Sequence, residues 1–89
     1  MKRFIIQRDL PDVGKATVSD LRPTIKASND ALRQLAPDVQ WIESYLTEDQ
    51  SFCVYLAESE DAIREHGKIS GIPVGEITEV KRIISPVTN

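Results

Sequence analysis

The chain has 89 residues, 40% hydrophobic and 28% charged, with a net charge of −3 and a single cysteine. That length supports one small core, so residues 1–89 read as a single domain. The acidic balance, with no basic patch, speaks against nucleic acid as a partner. A lone cysteine excludes an internal disulfide and suggests a reducing, cytoplasmic setting.

Arg3 to Arg8 is a short apolar-centred run and reads as the first strand. Its apolar stretch is too short for a signal-peptide core or a membrane span, so no membrane association is expected. Asp9 to Ala16 carries Pro11, Asp12 and Gly14 and reads as a loop. Gly14-Lys15 lacks the other glycine and the Ser/Thr of a phosphate loop, so a turn glycine beside a solvated lysine is the better reading.

Thr17 to Ala36 reads as the first helix, with Leu21, Ile25, Leu32 and Leu35 along one face. Thr17 or Ser19 can cap it, with Asp20 near its positive end. Pro23 fits the first turn if Ser19 is the cap, and kinks the helix if Thr17 is. Ser28 interrupts the apolar stripe, and its hydroxyl is expected to bond back to a carbonyl one turn earlier. Pro37-Asp38 ends the helix.

Gln40 to Ala57 reads as a β-hairpin around Thr47-Glu48-Asp49-Gln50. Alternation allows Ile42, Leu46, Phe52, Val54 and Leu56 to form one apolar face, leaving Trp41, Glu43, Tyr45, Ser51, Cys53 and Tyr55 on the other. That pairing needs a three-residue loop, or a two-residue turn corrected by a bulge. A plain two-residue turn at Glu48-Asp49 would set Tyr45 opposite Phe52 and mix the faces. Ser59 then caps a second helix whose inner side holds Ala62, Ile63 and His66. Ile72 to Gly75 is a loop, and Glu76 to Ile84 reads as the last strand.

The order βαββαβ defines a ferredoxin-like α+β fold, with two helices on one face of a four-stranded antiparallel sheet. The helices are expected to cover the apolar hairpin face. The other face, carrying Trp41, Tyr45 and Tyr55, is then open and is the expected homodimer interface, closing a dimeric α/β barrel with a pocket between the sheets.

Three residues could carry chemistry. His66, the only histidine, is either a satisfied buried side chain or a metal ligand or proton carrier. Cys53 is either a small apolar filler or a soft ligand. Glu43 is either paired by a salt bridge or hydrogen bond across the dimer, Tyr55 being one candidate, or a metal ligand or general base. One His and one Cys fall short of a usual ligand set unless carboxylates or a second subunit contribute. No motif names a reaction.

The segments KRFIIQRDLPDVGK, ASNDALRQL, QWIESYLTEDQSFCVYLAESEDAIREHGKISGIP and EVKRIISP resemble a family of small bacterial ferredoxin-like proteins of unknown function described as nickel-binding. Trp41, Ser44 and Tyr45, the Cys53 to Tyr55 element and Arg64 to Gly67 are the most specific parts of the likeness. It implies a dimeric ferredoxin-like protein and raises nickel as a cofactor, with no organic cofactor. Imidazole and oxygen ligands suit nickel, and His66 and Glu43 could supply them if the fold brings them together. The leading expectation is therefore a metal-binding protein. The alternative is a small-molecule-binding protein or cofactor-free enzyme whose pocket is lined by Trp41, Tyr45 and Tyr55.

Overall fold

A computed structural model describes residues 1–88. Strands β1 (Lys2–Asp9), β2 (Val39–Leu46), β3 (Gln50–Ala57) and β4 (Glu76–Val80) form one sheet in the order β2-β3-β1-β4. Every neighbouring pair is antiparallel. Helices α1 (Val18–Leu35) and α2 (Glu60–Ser70) cover one face, as the element order predicts for a ferredoxin-like fold. Among the described residues, no helix is long and apolar enough to cross a membrane.

The helix caps follow the sequence. Thr17 caps α1 through a capping box: the Asp20 amide donates to Thr17 Oγ1 at 3.1 Å, and the Thr17 amide to the Asp20 carboxylate at 2.9 Å. With that cap Pro23 lies inside the helix, where it removes the hydrogen bond its nitrogen would have made to the preceding turn. Ser59 caps α2 by accepting from the Ala62 amide at 3.2 Å. Gly71 ends α2 at φ 75°, a left-handed conformation suited to glycine. Between β1 and α1 the chain makes one short 3-10 turn, Val13–Lys15, docked on the hairpin through Gly14 N–H donating to the Glu48 carbonyl at 3.0 Å. β4 stops at Val80, so Ile83 and Ile84 lie beyond the sheet and are exposed.

The hairpin faces are the reverse of the pattern expected from apolar content. A two-residue turn at Glu48-Asp49 sets Tyr45 opposite Phe52, both on the open side of the sheet. The extra residue is Ile42, a bulge between Trp41 and Glu43 that switches the facing of β2 along its length. Trp41 therefore pairs with Tyr55, and Ser44 with Cys53, on the helix side. On β3 the buried set is Ser51, Cys53, Tyr55 and Ala57, while Phe52, Val54 and Leu56 look outward and are half-buried. β1 explains the choice. Its inward residues Phe4, Ile6 and Arg8 lie opposite Tyr55, Cys53 and Ser51, and pairing across the ladder forces partners onto one face.

The core is a cluster of Phe4, Ile6, Val39, Cys53, Tyr55, Ala57 and Ile63, closed by Leu32 and Leu35 of α1. It sits under α2 and the C-terminal half of α1. The N-terminal half of α1 instead covers small and polar side chains, and a space remains beneath it.

Candidate functional site

That space is a cavity of about 250 Å³ between α1 and the sheet. Leu21, Ile25 and Ser28 of α1 form its roof; Arg8, Cys53 and Tyr55 belong to its strand side. Trp41, Ser44, Leu46 and Ile72 complete much of the remaining wall. The cavity exists because β3 presents serine and cysteine where a packed sheet would carry larger side chains. Trp41 is held in the wall by its indole N–H, which donates to Ser44 Oγ at 2.9 Å.

Arg8 is the least expected residue of this wall. It is only 5% exposed, yet no carboxylate pairs with it among the described residues. Its Nε donates to the Pro73 carbonyl and its Nη1 to Cys53 Sγ at 3.2 Å, while Nη2 is buried with no partner. A buried guanidinium in this state is costly, because desolvation is not repaid by an opposite charge. The sequence signal was present: in Phe4-Ile5-Ile6-Gln7-Arg8, alternation puts Arg8 on the same face as Phe4 and Ile6. Ser28, a minor ligand-binding candidate from the sequence, lines the cavity, and Ser44 and Ser51 join it there without a sequence signal of their own.

His66 is 1% exposed on the inner side of α2. Its Nε2 lies 3.2 Å from the Ser28 carbonyl and 3.2 Å from the Ser28 hydroxyl. A carbonyl can only accept, so Nε2 carries the proton and donates. The Ser28 hydroxyl thus turns to His66 rather than back along its own helix, tying α1 to α2. The imidazole also packs on Tyr55, with ring centroids 5.5 Å apart. Burial pushes the His66 pKa below its ordinary value; the Ser28 carbonyl opposes this and the Arg8 charge adds to it. Burial likewise raises the Tyr55 phenol, so Tyr55 remains a hydrogen-bond donor at neutral pH.

A depressed histidine pKa ties stability to pH with a definite sign. Above the unfolded value, near 6.5, both states are neutral. Below it the unfolded chain takes up a proton that folded His66 refuses. Stability is therefore present above about pH 6.5 and is lost as pH falls through the folded pKa, with a slope of at most about 1.4 kcal/mol per unit. Urea unfolding at pH 7 and pH 5.5 should show this loss, and His66→Gln should flatten it.

Glu43 lies on the other side of the sheet. It pairs with Val54, faces outward beside Tyr45, and raises the Tyr45 pKa by accepting its phenolic hydrogen bond. Glu43 is therefore on the opposite side of the sheet from Cys53 and His66, and its phenolic partner is Tyr45, Tyr55 being buried beneath the helices. Tyr55 and Trp41 are not on the open face either: Tyr55 is buried under the helices, and Trp41 lines the cavity. Only Tyr45, 57% exposed, is where the expected interface put it. Among the described residues no three His, Cys, Asp or Glu side chains converge as a metal site. His66 Nε2 is occupied as a donor, and Cys53 faces a cation. The described residues of one chain do not fit a nickel centre.

The sheet order, the two helices on one face and the partly open cavity beneath α1 define a ferredoxin-like α+β protein with a ligand-sized space. Over residues 4–80 the sequence matches the family described as nickel responsive protein SCO4226-like, and the chain belongs to that family. The crystal structure of SCO4226 from Streptomyces coelicolor A3(2) is similar in fold, with a TM-score of 0.77 over 92% of this chain and 99% of that one, at 15% identity. No curated protein matches the chain.

Proposed function

We propose that this member of the nickel-responsive family is a small-molecule-binding protein, and that its ligand occupies the cavity beneath α1. The observation that carries this reading is the cavity itself: about 250 Å³, mostly apolar, with the buried Arg8 guanidinium in its wall. A few polar groups converging on an apolar cavity are the usual make-up of a ligand site. Trp41 is the only tryptophan and lines the cavity, so binding should change its fluorescence. A panel of small aromatic compounds is expected to do so with saturation. No spectral change and no binding heat across the panel would refute the reading.

Family membership favours a second reading, a response to nickel. Since no donor set converges among the described residues of one chain, such a response would draw on exposed carboxylates or on donors from two copies. Calorimetric titration of the metal-free protein with Ni²⁺ separates the readings. His66→Ala should leave any binding heat unchanged. A stoichiometric site lost in His66→Ala would instead restore His66 as a ligand.

The homodimer remains part of the proposal, on a different set of residues. Ile5, Tyr45, Phe52, Val54 and Leu56 lie on the open face, an apolar strip of the kind that pairs by twofold symmetry. Light scattering is expected to give twice the 10.0 kDa chain mass; the monomer mass would remove the dimer.

A further inference from the structure

We propose that the cavity beneath α1 selects a small organic monocarboxylate with an apolar body, its carboxylate held against Arg8; this rests on the cavity being the ligand site.

The charge of the ligand follows from the wall. Arg8 is 5% exposed, both of its hydrogen-bond acceptors are other than carboxylates, and its Nη2 has none. Among the described residues no Asp or Glu lines the cavity, so the charge of Arg8 is uncompensated there. A bound carboxylate would supply the missing counter-charge and an acceptor for the guanidinium, the geometry in which arginine is most effective. A cationic ligand is disfavoured for the same reason. Among the described residues Arg8 is the only Lys or Arg in the wall, which matches one negative charge rather than the two of a phosphate monoester.

The body of the ligand follows from the rest of the wall. Leu21, Ile25, Trp41 and Ile72 give an apolar surface, and Trp41 offers an aromatic face. The volume equals that of roughly eight waters at about 30 Å³ each, suited to an aromatic ring or a branched aliphatic chain. Ser28 and Tyr55 supply hydroxyl donors beside the guanidinium, and both border the cavity. The Cys53 thiol, engaged by Arg8 Nη1 and lying 3.9 Å from Ser51 Oγ, anchors the guanidinium rather than reacting.

The test is a Trp41 fluorescence titration, checked by calorimetry, with benzoate and phenylacetate, their amides, and benzylamine. The carboxylates should bind at least roughly tenfold more tightly than the amides, with benzylamine weakest. Arg8→Met should erase the carboxylate preference while still binding the amides. Amides binding as tightly as carboxylates, or an undiminished preference in Arg8→Met, would overturn the carboxylate assignment and leave the cavity reading standing. No response to any compound would overturn both. If Arg8→Met fails to fold, the carboxylate-to-amide ratio of the wild-type protein decides the matter alone.

Discussion

Arg8→Met is expected to raise the stability of the ligand-free protein by about 1–3 kcal/mol, and its melting temperature by several degrees. Methionine is close to arginine in length and fills the same wall beside Leu10 and Ile72 without a charge to desolvate. Two hydrogen bonds are lost, to the Pro73 carbonyl and to Cys53 Sγ. Pro73 is exposed, so water can replace the first, and a thiol is a weak partner for the second. Relief of the buried charge, several kcal/mol per ion after relaxation, is the larger effect. The same substitution should raise the His66 pKa, because the Arg8 charge helps to hold it down. Paired thermal melts and an NMR titration of His66 would measure both. A Met variant that melts several degrees lower would mean that the guanidinium is already well satisfied in the empty protein. A gain in stability would fit a residue retained for binding at the expense of the fold.

Ile63→Ala is expected to lower stability by about 3–4 kcal/mol and the melting temperature by more than about ten degrees. Ile63 is fully buried on α2 and packs within the Phe4, Val39, Tyr55 and Ala57 cluster. The neighbouring strands cannot collapse into the space it leaves without shifting the ladder, so the cavity term adds to the lost burial. α2 also carries His66, so loosening it should weaken the Ser28 contact and disturb the roof of the ligand cavity. Ile84→Ala is the control: Ile84 is 75% exposed, and its removal should change stability by no more than about 0.5 kcal/mol. Urea unfolding of the two variants would compare them. A loss for Ile63→Ala as small as for Ile84→Ala would place the core elsewhere.

The elements and their order were legible because their signals are local. Thr17 and Ser59 cap the helices, Pro37 closes the first, and the Thr47 to Gln50 break separates the hairpin strands. The facing of the hairpin was not legible, because it is decided by a partner distant in sequence. Phe52, Val54 and Leu56 make the more apolar side of β3, and burial alone favours turning them inward. The ladder with β1 overrides that preference by pairing Tyr55 with Phe4 and Cys53 with Ile6. The bulge at Ile42 then lets β2 bring Trp41 and Ser44 to the same side, although their spacing is odd.

The site was misread for the same reason. With the faces exchanged, alternation alone puts Trp41 and Tyr55 on an open interface and Glu43 on the same face as Cys53. The buried arginine escaped notice because a charged residue at a strand end normally reaches solvent. Only the parity shared by Phe4, Ile6 and Arg8 distinguishes this one, and the helix above confirms it. His66 was legible as a satisfied buried side chain, but its partner Ser28 lies 38 residues away on the other helix.

The most direct measurement is a crystal structure of the protein with bound benzoate. The expected structure has the ring beneath α1 against Trp41 and a carboxylate oxygen within hydrogen-bond distance of Arg8 Nη2. Benzoate on the open face beside Tyr45, with Nη2 still unpartnered, would contradict it.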